Sequence, residues 1–291
     1  MTKPQSKTLT AKKIVIFDID GVVRDVAGSY RRAIADTVEH FTDGVYRPSG
    51  LEIDQLKSEG IWNNDWEASR ELVYRYFEVQ GQARSALGSS ADSPNVATAT
   101  HWRSQVPLDY QTLIAFFQSR YQGPDPDNWT GYICTEPLLL QPSYLESLTA
   151  AGISWGFFSG APRSEANYAL LKRLGLQNPV IIAMEDAPGK PDPTGLLATV
   201  EQLEQRHNVE IETPVLYAGD TVADMFTVQK ARSLYPKRDW IAVGILPPHV
   251  QETPERRDAY ENTLKEAGAA VVLSNVQQLT PERIQQLVHN G

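Results

Sequence analysis

A chain of 291 residues, 41% hydrophobic and 22% charged, has ordinary globular composition and enough length for one or two domains with a sizeable core. A net charge of −9 excludes a broad nucleic-acid surface, which needs clustered Lys and Arg, but allows a local site for a small anion. The one cysteine, Cys134, excludes an intrachain disulfide; it reads as a small buried hydrophobe and fits a reducing compartment.

Residues 1–11 read as a mobile tail. The start is basic, but no apolar run of signal-peptide kind follows it, and the first strand is too short to cross a bilayer. The expectation is a cytoplasmic protein with no membrane partner. Ile14–Phe17 is a largely β-branched run suited to a strand buried on both faces. It ends on Asp18 and Asp20, with Gly21 beside them, a curious finish for a hydrophobic strand. Helices are predicted over Ser29–Phe41, Leu51–Lys57 and Glu67–Val79, the last with Leu72, Val73, Tyr76 and Phe77 on one apolar face. Gln80–Gln105, rich in Gly, Ser and Ala without a pattern, reads as a loop, and helix resumes over Tyr110–Arg120.

After Pro137 the rhythm changes. Strands are predicted at Trp155–Phe158, Val180–Ala183, Pro214–Ala218, Trp240–Gly244 and Ala270–Leu273. Helices alternate with them at Tyr144–Ala151, Ser164–Leu174, Pro193–Gln205, Ala223–Arg232, Pro254–Ala267 and Pro281–His289. Such alternation implies an α/β fold, a parallel sheet with helices on both faces, whose active sites lie beyond the carboxyl ends of the strands. Between the first strand and Trp155 the alternation pauses for far longer than a crossover needs. Residues 27–136 are therefore expected to form an inserted helical domain, with residues 12–26 and 137–291 as the core.

Four stretches at predicted strand ends or in the loops between elements carry polar chemistry. They are Asp18-Ile-Asp20-Gly21, Ser159-Gly160, the loop around Lys190, and Gly219-Asp220 followed by Asp224. Singly, each has a plain alternative: a strand end, a helix cap, a solvated loop lysine, a strand-to-helix turn. Their order, spacing and repeated placement resemble the haloacid dehalogenase superfamily, subfamily I, and the helical insertion resembles its type-1 caps. The resemblance covers the chain from Lys12 onward, and the pair "DGVVRD" and "WNNDW" looks like a small subgroup within it.

The resemblance implies a Rossmann-like core and a Mg²⁺-dependent phosphatase. Asp18 is the expected nucleophile, attacking phosphorus to give an aspartyl phosphate. Asp20 is the expected general acid and base. Asp18, the backbone carbonyl of Asp20, Asp220 and Asp224 are the expected metal ligands, Asp224 directly or through water. Ser159 and the amide of Gly160 would bind phosphoryl oxygens, and Lys190 would stabilise the transferring group. Dehalogenases of the superfamily lack the acid two residues after the nucleophile, so Asp20 favours phosphoryl transfer. A phosphomutase and a non-catalytic phospho-ligand-binding regulator are the alternatives.

In the insertion, Trp62, Asn63, Asn64 and Asp65 stand before a helix. They read either as an N-cap with stapling tryptophans or as groups that recognise the substrate. Arg24 reads as a grip for a second anionic group or as a salt bridge, for instance to Asp25. The five histidines show no metal-ligand spacing. The expected partner is a small phosphorylated metabolite; oligomeric state is not legible.

Overall fold

The structure, a computed structural model, describes residues 13–59, 61–62, 64–88, 108–208 and 212–289. The tail 1–11, Asn63 and the part of Gln80–Gln105 beyond Gly88 lie outside the described residues. The chain divides into two compact units, with the divisions after Asp25 and after Glu136.

The first unit is built on six parallel strands: β1 Lys13–Phe17, β2 Ile153–Phe158, β3 Ile181–Ile182, β4 Val215–Gly219, β5 Trp240–Ile245 and β6 Val271–Leu273. Their spatial order is β3-β2-β1-β4-β5-β6. β1 is central, and every residue of KIVIF is buried, as a strand covered on both faces requires. Alternation then sorts its side chains. Val15 and Phe17 join one apolar layer with Leu145, Leu148, Ala166, Leu170 and Ile284, while Ile14 and Ile16 join another with Leu196, Val200, Leu203, Met225, Val228 and Leu264. These residues belong to the helices α5 Pro142–Ala150, α6 Arg163–Asn167 (continued as a wider turn through Tyr168–Arg173) and α10 Pro281–His289 on one side. On the other side they belong to α7 Thr194–His207, α8 Val222–Leu234 and α9 Pro254–Glu266.

Strand order reverses between β1 and β4, so the crevice for a ligand opens beyond their carboxyl ends. The chain leaves and re-enters this unit through a narrow neck. Arg24 and Leu138 form an antiparallel bridge, the amide of Asp25 donates to Pro137 O at 2.8 Å, and the amide of Leu139 donates to Val23 O at 2.8 Å.

The second unit contains α1 Ala27–Phe41, α2 Gly50–Ser58, α3 Asp65–Gly88 and α4 Tyr110–Tyr121. Ala33, Ile34, Val38, Ile53, Leu56, Ala68, Leu72, Val73, Leu113 and Phe117 are among its buried apolar residues. α2 starts with a reciprocal cap between Ser49 and Glu52, and α4 with Asp109 accepting from the amide of Thr112. The loop expected from Gln80 is corrected by α3, which continues to Gly88. Gln, Ala, Arg and Leu propagate a helix already begun by an amphipathic segment, and a glycine costs only about 1 kcal/mol within it.

Candidate active site

Asp18 is the first residue beyond β1. Its amide donates to Ala218 O of β4 at 2.9 Å, and its Oδ1 accepts from the amide of Ile19 at 2.8 Å. The chain then turns at Gly21, whose φ is +72°. A side chain there is excluded twice. The left-handed backbone disfavours it, and a Cβ would lie 2.1 Å from Asp220 Oδ2. That contact shows how closely the loop after β1 passes the loop after β4. Gly219 is constrained similarly, since a Cβ would lie 2.3 Å from Asp224 Cβ.

Thr221 and Asp224 cap each other at the start of α8. Thr221 N and Oγ1 donate to Asp224 Oδ2 at 2.9 and 2.7 Å. The other oxygen, Oδ1, meets Lys190 Nζ at 2.7 Å and lies 2.9 Å from the Tyr217 hydroxyl, which also lies 3.1 Å from Phe158 O. Lys190 Nζ is also 2.8 Å from Asp18 Oδ2, and its ammonium lies about 5.4–5.5 Å from the ring centres of Phe158 and Tyr217. Asp18, Asp220 and Asp224 each offer a carboxylate oxygen, all within 4.8 Å of one another.

Three carboxylates around one ammonium leave negative charge in excess, and the protonation equilibria follow from that. Burial pushes Asp18 up to about 7, with Lys190 opposing the rise and Asp224 and Asp20 adding to it. Burial and the neighbouring Asp18 and Asp224 charges push Asp220 well above the usual carboxylate range. Asp224 is held below that range in spite of burial, by the Lys190 charge and by hydrogen bonds from Lys190 and Thr221. Burial opposes the charge of Lys190, but Asp18 and Asp224 outweigh it and raise its pKa. The remaining deficit is of positive charge among hard oxygen donors, which suits a cation such as Mg²⁺ better than a softer metal.

Ser159 follows β2, whose Phe157 pairs in register with Phe17. Ser159 is buried, its amide donates to Ile182 O at 3.0 Å, and its Oγ accepts from the amide of Ala161 at 3.1 Å. Gly160 is exposed, with open space where a Cβ would stand.

A model of the haloacid dehalogenase-like hydrolases matches residues 12–232. The chain belongs to the haloacid dehalogenase-like hydrolase family. It is thus a hydrolytic enzyme by family. Its fold is that of phosphatase Tt82 from Thermococcus thioreducens, with TM-score 0.60 and 23% identity over 85% of this chain and 99% of that one. It is also that of a phosphonoacetaldehyde hydrolase like protein from Oleispira antarctica, with TM-score 0.59 and 16% identity over 100% of this chain and 97% of that one. An imidazoleglycerol-phosphate dehydratase from Phytophthora nicotianae is 30% identical over 271 residues, 89% of this chain and 50% of that protein. The chain spans about half the length of that relative.

Of the residues singled out from the hydrolase sequence, Asp18, Asp220, Asp224 and Lys190 converge. The Asp20 carboxylate is not part of the acidic cluster; its Oδ1 accepts from Arg24 Nε at 2.7 Å. Arg24 is 1% exposed, and its guanidinium pairs with Asp20 and Glu165, which is a salt bridge of the kind weighed against an anion grip. In the second unit, Trp62 Nε1 donates to Glu59 at 2.8 Å. Asn64 Oδ1 accepts from the amides of Trp66 and Glu67 at 2.9 and 3.1 Å, and Asp65 pairs with Lys57 at 2.6 Å. Asn63 lies outside the described residues.

Sequence reasoning missed Tyr217, Thr221 and Glu165. Tyr217 could have been found as a hydroxyl in an otherwise aliphatic buried strand, and Thr221 as the start of a Thr-x-x-Asp cap. Glu165 carries no sequence signal, because its partner Arg24 is 141 positions away.

Proposed function

We propose that this hydrolase is a Mg²⁺-dependent phosphatase acting on small phosphate monoesters through an aspartyl phosphate on Asp18. The observation that carries the reading is the buried Asp18 carboxylate on the Lys190 ammonium at 2.8 Å, within reach of Asp220 and Asp224. Asp18, Asp220 and the Asp20 carbonyl would hold the cation directly. Asp224, with both oxygens already engaged, would hold it through water while fixing Lys190. The bound cation would offset the phosphate charge that otherwise repels an anionic nucleophile.

Asp18 forms a bond to phosphorus as the bond to the leaving alcohol breaks, and Asp20 gives that oxygen a proton. Lys190, with Ser159 and the Gly160 amide, holds the phosphoryl oxygens. Water then attacks the aspartyl phosphate and yields a proton to Asp20, releasing phosphate and the Asp18 carboxylate.

The relative named imidazoleglycerol-phosphate dehydratase favours one substrate class. Dehydration leaves a phosphate ester intact, so a phosphatase working beside such chemistry would act on a phosphorylated imidazole compound. A phosphate-release screen that includes imidazole-bearing and sugar phosphates, with and without Mg²⁺, tests both statements. Isomerised product without phosphate release would instead identify a mutase, and binding without turnover a regulatory protein.

A further inference from the structure

We propose that Arg24 and Glu165 are positioning residues for Asp20, and that through it they set how well the enzyme expels a poor leaving group. The proposal rests on the phosphatase reading above. Arg24 is among the largest fully buried side chains, and a buried guanidinium demands acidic partners. Glu165, itself 7% exposed, supplies one on α6, with Arg24 Nη2 3.5 Å from its Oε2. A second bond runs from Nε to Asp20 Oδ1 at 2.7 Å, and the Asp20 side chain is 39% exposed. A buried cation thus reaches outward to hold a partner that faces solvent.

The backbone fixes the source of this bond. Arg24 returns beside Asp20 because the amide of Gly21 donates to Arg24 O at 2.9 Å, and Arg24 is bridged to Leu138 at the neck. With Oδ1 held, Oδ2 is the oxygen left to pass a proton to the leaving group. In the first step the electron pair of the breaking phosphorus–oxygen bond goes to the leaving oxygen, and the Oδ2 proton follows it. The charge that appears on Asp20 meets a guanidinium already in place, so no reorganisation is needed at that moment. In the second step Asp20 takes the proton back from water in the same orientation.

Protonation matters most for an alcohol and least for a nitrophenol, which leaves well as an anion. The test measures kcat/KM for an alkyl phosphate, glycerol 1-phosphate, and for aryl phosphates of graded acidity up to p-nitrophenyl phosphate. Arg24→Met is expected to lower the alkyl value on the order of 10²-fold and the p-nitrophenyl value tenfold at most, steepening the dependence on leaving group. Arg24→Lys, which keeps the charge, is expected to recover part of the alkyl rate. Because Arg24→Met takes a cationic partner from the buried Glu165, the double variant Arg24→Met/Glu165→Gln supplies a folded comparison that lacks both charges, verified by its thermal melt. Equal losses across the series, or none, overturn the proposal. A wild-type enzyme inert toward every ester sinks the phosphatase reading itself.

Discussion

The loops beyond β1 and β4 and the segment from Trp62 to Trp66 look alike as strings, each packing acids or amides into a few positions. Their surroundings differ. Around Trp62 every described polar group named above meets a partner within its own unit: Asp65 has Lys57, Asn64 has two amides, and Trp62 has Glu59. At the strand ends three carboxylates cluster, two of them on one lysine, and two of the three are pushed toward protonation. A scaffold closes its local charge balance, whereas a site keeps it open for what arrives.

The comparison breaks most sharply at Asp18. Asp18→Asn keeps shape but removes the anionic nucleophile, and phosphate release should fall by at least about 10⁴-fold with loss of labelled phosphoenzyme. The same change removes one of three repelling charges, so the metal-free variant should melt no lower than wild type. Full activity, or a clear drop in melting temperature, would contradict the open-charge view.

Next in size is the coupling of pH to cation binding. Folded Asp18 keeps its proton up to about 7, against 3.8 ordinarily, and Asp220 shifts the same way. The folded state therefore binds more protons than the unfolded one between those values, and metal-free stability falls as pH rises across that window. Mg²⁺ should replace the lost protons. Its stabilisation, about 2.7 kcal/mol at a hundredfold excess over Kd, should be larger near pH 8 than near pH 5 in paired thermal melts. Equal shifts at both pH values would count against a cation at these acids.

Gly21→Ala sharpens the comparison from the backbone side. A left-handed alanine costs about 1–2 kcal/mol, and its Cβ must displace Asp220. Mg²⁺ affinity by calorimetry should weaken beyond what the modest loss of stability explains. The smallest effect is expected at Asn64→Ala. It should cost about 0.5–2 kcal/mol through the lost cap while leaving the ranking of substrates by kcat/KM unchanged. A changed ranking in a folded variant would return this segment to the substrate-recognition role considered from sequence.

Much of the fold was legible because its signals are local. The strand KIVIF is apolar after its lysine, and helices such as α7 and α8 carry a 3.6-residue apolar stripe. The extent of α3 was not legible, because Gly and Ser among its later residues look like a loop until a helix already begun carries through them. At the site, Asp18, Lys190, Asp220 and Asp224 were legible from order and spacing. The burial of Arg24 was not legible, because burial is a property of the packed fold. The N-cap read from the residues before α3 is present at Asn64, whose Oδ1 accepts from two backbone amides.

The neck at Asp25 and Pro137 gives this architecture a kind of editorial freedom. Where the chain departs and returns, the two strands already hold each other by amide-to-carbonyl bonds, as the stems of a hairpin do. A stem of that kind can be closed by as few as two residues, so its own bonds do not depend on the length of the chain between them. The insert can lengthen, shrink or be exchanged while strand register below the neck stays fixed. A lineage can thus revise one module repeatedly and inherit the other unaltered.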